Sequence, residues 1–438
     1  MKRLVTLMTL LIVGYMVGIW TFLVFPQILI KSGIRGLLLY IFVTAFFVVV
    51  PYLEIEATKR TRYLFVEYLT KISRFPGIAI SFVIFGIIGS SLILYYSSSV
   101  LIRALVTYDI LYLALILLLS LLLASLVLFH AKEKTLILMT WFSVVFILFI
   151  TVSFFIIRNY TLTASEKSLP IQLALETLIT HITATNAPLT IQDIIKIIIL
   201  GFSSLGLGYG FFMVMGTFLP KEADSRKIIG VGYVLQLLVG VIVTYIFVYA
   251  LAATFPGTAL LYGESGITEA LKFIKDIIGA LAVAHSPEAT RVLYLLVFSI
   301  YLAGMTTLIP LLETLGHIVS ESTQSTRNSA LSITLLMVLV LSITFEVDTI
   351  RWMFLAAFFV YLPFMVVLEM VPLIKSKDVF GVNVMMYGYI IAVIGIIMTL
   401  FSISKFVQGS TWQQLGVLVG IVFALPVLLN SMLLKTRS

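Results

Sequence analysis

The chain has 438 residues, 61% of them hydrophobic and 11% charged, with no cysteine and a formal net charge of +8. That apolar share is well above the one typical of soluble domains, and the lack of cysteine excludes disulfides, thiolate metal sites and cysteine nucleophiles. Several charge-free runs reach the ~20 residues that cross a bilayer, so the chain reads as an all-α integral membrane protein.

The first run, Leu4–Ile30, follows Lys2 and Arg3 but is too long for a signal-peptide core and ends in proline, so it counts as the first span. Next come Gly36–Leu53, Phe75–Ile102, Ile110–Phe129, Thr135–Ile157, Ile197–Pro220 and Ile228–Gly263. Val292–Leu312, Asn328–Phe345, Trp352–Leu368, Val379–Ser404 and Phe406–Leu434 complete about twelve spans in one domain. With both termini on the cytoplasmic side, the inner segments hold most of the Lys and Arg, as the positive-inside rule requires. The positive charge therefore reads as topology and contact with anionic lipid, not nucleic acid. Thr61–Arg74 is basic and amphipathic, which predicts a short helix on the inner surface. Two outer loops, Arg158–Lys196 and Glu264–Arg291, are long and carry helical patterning, and "NYT" at 159–161 fits a glycosylation acceptor. The four histidines show no metal-ligand spacing.

Two stretches conflict with a continuous apolar helix. "GYMVGIWTF", residues 14–22, places Gly14 and Gly18 four apart, a spacing that also serves close helix packing. "GFSSLGLGYGFF", residues 201–212, places glycine at 206, 208 and 210, which cannot share one helical face. Each glycine costs a helix about 1 kcal/mol relative to alanine. Non-helical backbone at membrane depth is tolerated only where protein or a polar cavity surrounds it. Freed carbonyls there can bind a cation, and N–H groups at a half-helix start can bind an anion. About five spans separate the two stretches, which predicts two repeats of one unit, about 4–157 and 193–373, followed by two extra helices at about 379–434.

At these residues the chain resembles the neurotransmitter:sodium symporter family, whose bacterial members define the leucine-transporter (LeuT) fold; broken helices in that fold are a standard example. "GYMVGIWTFLVFP" is similar to the family's first span, "PYLEIEATKR" to the end of its second with Glu56 at the acidic position, and "LILYYSSS" to its third. "FSSLGLGYG" with "GTFLPKEAD" resembles its sixth span, and "LAGMTT" its eighth. The resemblance implies a 5+5 inverted repeat with helices 1 and 6 broken. It implies a sodium site built from the carbonyls of Gly14, Val17 and Ala303 and the hydroxyls of Thr306 and Thr307. It also implies a substrate site at Met16, Gly18, Ile19, Trp20, Tyr96, Ser203, Ser204, Gly206, Tyr209 and Thr307.

The departures are specific. Thr21, Ser204 and Gly232 stand where the family's second sodium site has asparagine, threonine and asparagine. With an amide oxygen lost there, a single sodium is expected. Gln236 stands where relatives have an acidic or chloride-compensating residue and Leu200 replaces a polar neighbour, so chloride dependence is not expected. Trp20 replaces a glycine that leaves room for substrate, predicting a smaller or differently shaped pocket. Val24 replaces the outer-gate arginine, leaving Asp348 as the remnant of that charge pair. The expected function is sodium-coupled symport of a small zwitterionic solute, most simply an amino acid, by alternating access. Sodium is the coupling ion, no other cofactor is expected, and the protein would be a monomer or homodimer in the cell membrane. The alternatives are a sodium-independent or proton-coupled transporter, with Glu54, Glu56, Glu313 and Glu369 as candidate carriers, or a non-transporting solute sensor. In-span acids are functional by default, but the placement of these four near run ends also fits snorkelling. No nucleophile–base pair argues for an enzyme.

Overall fold

The computed structural model describes residues 2–105, 110–130, 132–185, 189–254 and 287–430, and among them it is helical, with no strands. Among the described residues, ten helices are long and apolar enough to cross a membrane. One of them, Ile19–Thr61, reverses at Gly33 (φ 54°), where a Cβ would fall 2.5 Å from the Ala184 carbonyl, so only glycine fits. Dividing it there and counting the interrupted segment Ile191–Phe218 gives the twelve spans expected.

Span 1 is two half-helices, 1a (Lys2–Met16) and 1b (from Ile19 to the Gly33 turn); span 2 follows, through Val49–Thr61. Span 3 is Gly77–Leu105, span 4 Ile110–Leu128 and span 5 Lys132–Ser165. Span 6 is also halved, into 6a (Ile191–Ser204) and 6b (Phe211–Phe218). Spans 7 to 11 are Ser225–Thr254, Pro287–Thr323, Arg327–Thr344, Asp348–Lys375 and Val382–Val407. Span 12 runs from Thr411 to Leu428 through one 3-10 turn.

Burial sorts the spans. In their most apolar windows spans 3, 8 and 10 are 83%, 78% and 78% buried, whereas spans 9 and 12 are 28% buried, so the former make the centre and the latter the lipid face. Leu38, Phe42, Leu111, Trp141, Leu336 and Leu400 lie on that outer surface, where lipid tails replace water as the solvent for apolar side chains. Small residues let the central helices approach: a Cβ on Gly304 of span 8 would sit 1.9 Å from Ser97 Oγ of span 3.

Two of the connections carry helical structure of their own. The segment after span 2 forms a turn of α-helix, Phe65–Tyr68, and a π turn, Leu69–Ser73. Phe65, Val66, Tyr68 and Leu69 are buried against the bundle, and Arg62, Leu64, Lys71 and Arg74 are exposed on the other side. The first long outer loop is mostly helical: span 5 runs on to Ser165, placing exposed Asn159 inside a helix, and Leu169–Thr183 packs Ala174, Leu175, Leu178 and Ile182 inward. Residues 264–286 of the second long outer loop, and the basic residues after 430, lie outside the described residues.

Candidate functional site

Span 1 breaks because its backbone partners change within two residues. Val17 N–H still donates to Val13 O at 2.8 Å, but Gly18 N–H donates to Tyr15 O at 3.3 Å, not to Gly14 O. Ile19 N–H then leaves the helix entirely and donates to Thr307 Oγ1 of span 8 at 3.0 Å. Gly18 permits this crossing, since a Cβ there would lie 1.8 Å from Thr307 Oγ1. Gly14 plays a packing part as well: a Cβ there would lie 1.9 Å from Ser143 Oγ of span 5.

The span 6 break uses its three alternate glycines as expected. Gly206, Gly208 and Gly210 have φ of 69°, 92° and 68°, the left-handed region that glycine enters without steric cost. Each is crowded. Gly206 faces the Tyr15 ring, Gly208 lies against Leu362 and Met365 of span 10, and Gly210 lies against Phe65. The two breaks meet directly, through Tyr15 Oη donating to Gly206 O at 3.2 Å and the Tyr15 ring stacked on Phe211 at 3.8 Å.

Three of the expected sodium ligands gather around span 8. Thr306 and Thr307 hydroxyls both donate to Ala303 O, at 2.9 and 3.1 Å, so carbonyl and hydroxyls share one buried patch. Thr307 joins that patch to Gly18 and Ile19, and Val17 lies within the break beside them. Gly14 O, released by the Gly18 N–H, is one helical turn away.

The oxygen atoms of the second expected site are linked by a side-chain amide. Gln236 Nε2 of span 7 donates to Ser204 O at 2.6 Å and to Thr21 Oγ1 at 3.3 Å, and Thr21 Oγ1 donates to Met16 O at 2.7 Å. Ser204 Oγ is 2.5 Å from Tyr40 Oη. Gly232 lies near Met16 Sδ and supplies no oxygen side chain.

Among the expected substrate residues, Ile19, Trp20 and Tyr96 line one pocket together with Leu23, Leu92, Ile93 and Leu355. Its volume is about 10 Å³, room for about one water. Trp20 fills the space: its indole stacks on Phe358 at 5.5 Å and 11°, and Phe358 stacks on Phe85 at 4.7 Å and 10°. The other expected residues are placed elsewhere. Met16 packs toward Gly232, while Gly18 and Thr307 are pressed together. Ser203 Oγ bonds Leu200 O and Ser204 meets Tyr40. Gly206 holds Tyr15, and Tyr209 lies against Phe85 and Gly89. Trp20 Nε1 and Tyr209 Oη face each other without a hydrogen bond of ordinary geometry.

One residue that sequence reasoning missed stands beside this pocket. Arg351, in the first turn of span 10, is buried; its Nη1 donates to Tyr95 Oη at 2.7 Å and to Phe345 O at 3.0 Å, and it pairs with exposed Asp348. Leu355, one turn further along, lines the pocket, and Tyr96 is the neighbour of Tyr95. Val24, the expected position of gate charge, is buried in apolar surroundings. The signal available in the sequence was the Asp348/Arg351 spacing, which puts both charges on one helical face.

Snorkelling does not describe the four in-span acids, which are all buried. Glu56 pairs with Lys59 and, at 2.7 Å, with Arg60, while Lys59 also donates to Ala223 O and Ser225 Oγ, both at 2.8 Å. Glu313 holds Arg327 at 2.6 Å and His317 at 3.0 Å. Among the described residues, Glu54 and Glu369 have no such cations.

No protein-family model matches the sequence, and no curated protein is similar to it by sequence. Its structure is similar to MhsT, solved in complex with L-phenylalanine, with a TM-score of 0.60 and 13% identity over 90% of this chain and 97% of that one. Twelve spans, breaks in spans 1 and 6 and this similarity over nearly the whole length establish a multi-pass membrane protein with the leucine-transporter fold.

Proposed function

We propose that the protein is a secondary transporter that couples one sodium ion to a small zwitterionic solute of the amino-acid class. The observation that carries this reading is the contact between two interrupted spans, Tyr15 of the first bonding Gly206 of the sixth, at the centre of a twelve-span bundle. Broken backbone at such depth is kept where it binds something. Sodium would take the carbonyls of Gly14, Val17 and Ala303 and the hydroxyls of Thr306 and Thr307. These are hard oxygen donors suited to a hard monovalent cation, and the threonine hydroxyls now point at Ala303 O. The amide of Gln236 among the oxygens of Met16, Thr21 and Ser204 supports a single ion, because a donor already satisfies them.

Solute would enter where Trp20, Ile19 and Tyr96 converge, with its carboxylate toward Tyr96 and the freed end of span 1b. Rotation of Trp20 off Phe358 would open the space that the indole fills. Met16, Gly18, Ser203, Ser204, Gly206, Tyr209 and Thr307 would then border the enlarged cavity. That MhsT was solved with L-phenylalanine supports an amino-acid-like solute. We read residues 4–157 and 193–373 as the two repeats that move against each other. Sodium shifts the balance of states only if it binds one more tightly.

The test is uptake by purified protein in sealed vesicles, screened over labelled amino acids. Accumulation driven by an inward sodium gradient and absent with equal potassium supports the reading; equal uptake in both overturns sodium coupling.

A further inference from the structure

We propose that Glu54 of span 2 and Glu369 of span 10 hold one proton between them at the span 6 break. Both side chains are fully buried in the bundle. Neither oxygen of Glu54 has a hydrogen-bond partner, nor has Glu369 Oε2. Spans 2 and 10 pack against each other, and Glu54 and Glu369 lie within electrostatic reach of each other and of Tyr15.

Among the described residues, the groups that face the pair supply no compensating charge. Tyr15 from span 1a, Tyr68 from the turn after span 2 and Tyr209 from the break are the titratable neighbours. Tyr15 bonds Gly206 O, Tyr68 bonds Ser376 and the Tyr209 hydroxyl has no partner. Lys59, on the same helix as Glu54, is committed to Glu56, Ala223 and Ser225. Lys375, beyond Glu369 on span 10, donates to Ser73 O and lies over the Phe75 ring. Two adjacent carboxylates out of water, with no cation, cannot both stay ionised. Such pairs titrate as a unit that shares a proton.

The break decides how the proton is divided. Glu369 Oε1 accepts the Gly210 N–H at 2.9 Å, and the Gly208 and Tyr209 N–H groups also donate to this carboxylate. These are free N–H groups at the start of half-helix 6b, where a negative charge is stabilised. Glu369 therefore carries the charge, and Glu54, with no donor aimed at it, carries the proton. The protonated pair pins Gly208–Gly210 to span 10. One consequence rests on the transport reading above: a conformation that draws these glycines away from Glu369 changes the hold on the proton, making the pair a coupling site distinct from the Thr306/Thr307 patch.

Infrared difference spectroscopy of the purified full-length protein at neutral pH tests the site without solute or transport. The wild type is expected to show the carbonyl stretch of one protonated carboxylic acid that Glu54→Gln lacks. Glu54→Gln is expected to fold, since an amide imitates the neutral acid in shape. If it does not, Glu369→Gln serves instead: removing the neighbouring charge shifts the Glu54 band. A band unaltered by either variant overturns the proposal. So does a wild type whose only response is a shift of its carboxylate stretches when sodium is exchanged for N-methylglucamine, because the pair would then hold a metal cation. Failure of sodium-driven uptake with the band intact would remove the transport reading and leave the proton site standing.

Discussion

Gln236 donates its side-chain amide to the Ser204 carbonyl at 2.6 Å, tying the end of half-helix 6a to span 7, and the same nitrogen reaches the Thr21 hydroxyl at 3.3 Å. An N–H donor thus occupies the point on which the Met16, Thr21 and Ser204 oxygens converge. Gln236→Glu exchanges that donor for a carboxylate and leaves four oxygens facing one another. In sodium-free buffer the variant should lose about 1–3 kcal/mol, the cost of buried polar groups left unmatched. Sodium should restore it, by about 2.7 kcal/mol at a hundredfold excess over the dissociation constant. Thermal unfolding in sodium against N-methylglucamine measures this; a sodium-dependent shift no larger in the variant than in the wild type would mean the four oxygens form no cation site.

The two span 8 threonines should separate in stability while agreeing in ion response. Thr307 accepts the Ile19 N–H, so Thr307→Val leaves a buried donor unsatisfied and should cost about 1–3 kcal/mol without sodium. Thr306 bonds only the Ala303 carbonyl of its own helix, and Thr306→Ala should cost about 0.5–1.5 kcal/mol. Both variants should lose the stabilisation that sodium gives the wild type. A sodium-dependent shift retained in both, read in the same unfolding assay, would place the ion elsewhere.

Glycine matters at Gly206 for two additive reasons. Its φ of 69° costs an L-residue about 1–2 kcal/mol, and a Cβ would lie 2.3 Å from the buried Tyr15 ring. Gly206→Ala should therefore lower the unfolding midpoint and break the Tyr15–Gly206 contact that joins the two interrupted spans. Gly230, with nothing within 4 Å of an added Cβ, is the control. Gly230→Ala should be neutral or stabilising by about 0.4–1 kcal/mol. Equal effects of the two substitutions would show that the break tolerates ordinary backbone.

The breaks were legible because alternate glycines in an apolar run have few other uses, and Gly206, Gly208 and Gly210 all have positive φ. The span count was legible because lipid requires apolar length. What lay beyond reach was the pairing of residues distant in the chain. The Trp20–Phe358–Phe85 stack joins spans 1, 10 and 3, and no local period encodes it. Glu54 and Glu56 look equivalent at the end of one run, yet at about 100° per residue they point to nearly opposite sides of their helix. Glu56 reaches Lys59 and Arg60, and Glu54 reaches the bundle centre. Arg351 was hidden for a related reason. Val24 leaves span 1 without gate charge, and the structure supplies a buried positive charge from span 10.

Arg351 should govern access to the pocket. It braces the first turn of span 10 against Tyr95 of span 3 and the Phe345 carbonyl, directly above Leu355 in the pocket wall. Asp348 is exposed, so losing that ion pair costs little. The bonds to Tyr95 and Phe345 are buried and charge-assisted. Since the chain contains no cysteine, Leu23→Cys in the pocket wall reports access with no background. Arg351→Ala in that background should speed reaction with an externally added, membrane-impermeant thiol reagent by about tenfold, from the ~1.5 kcal/mol of one charge-assisted hydrogen bond. Arg351→Lys keeps the charge but offers one nitrogen, on a shorter reach, where arginine uses Nη1 for Tyr95 and Phe345 and Nη2 for Asp348, and should fall between. A labelling rate unchanged by either substitution would mean that Arg351 holds the helix end and leaves the opening of the pocket to Trp20.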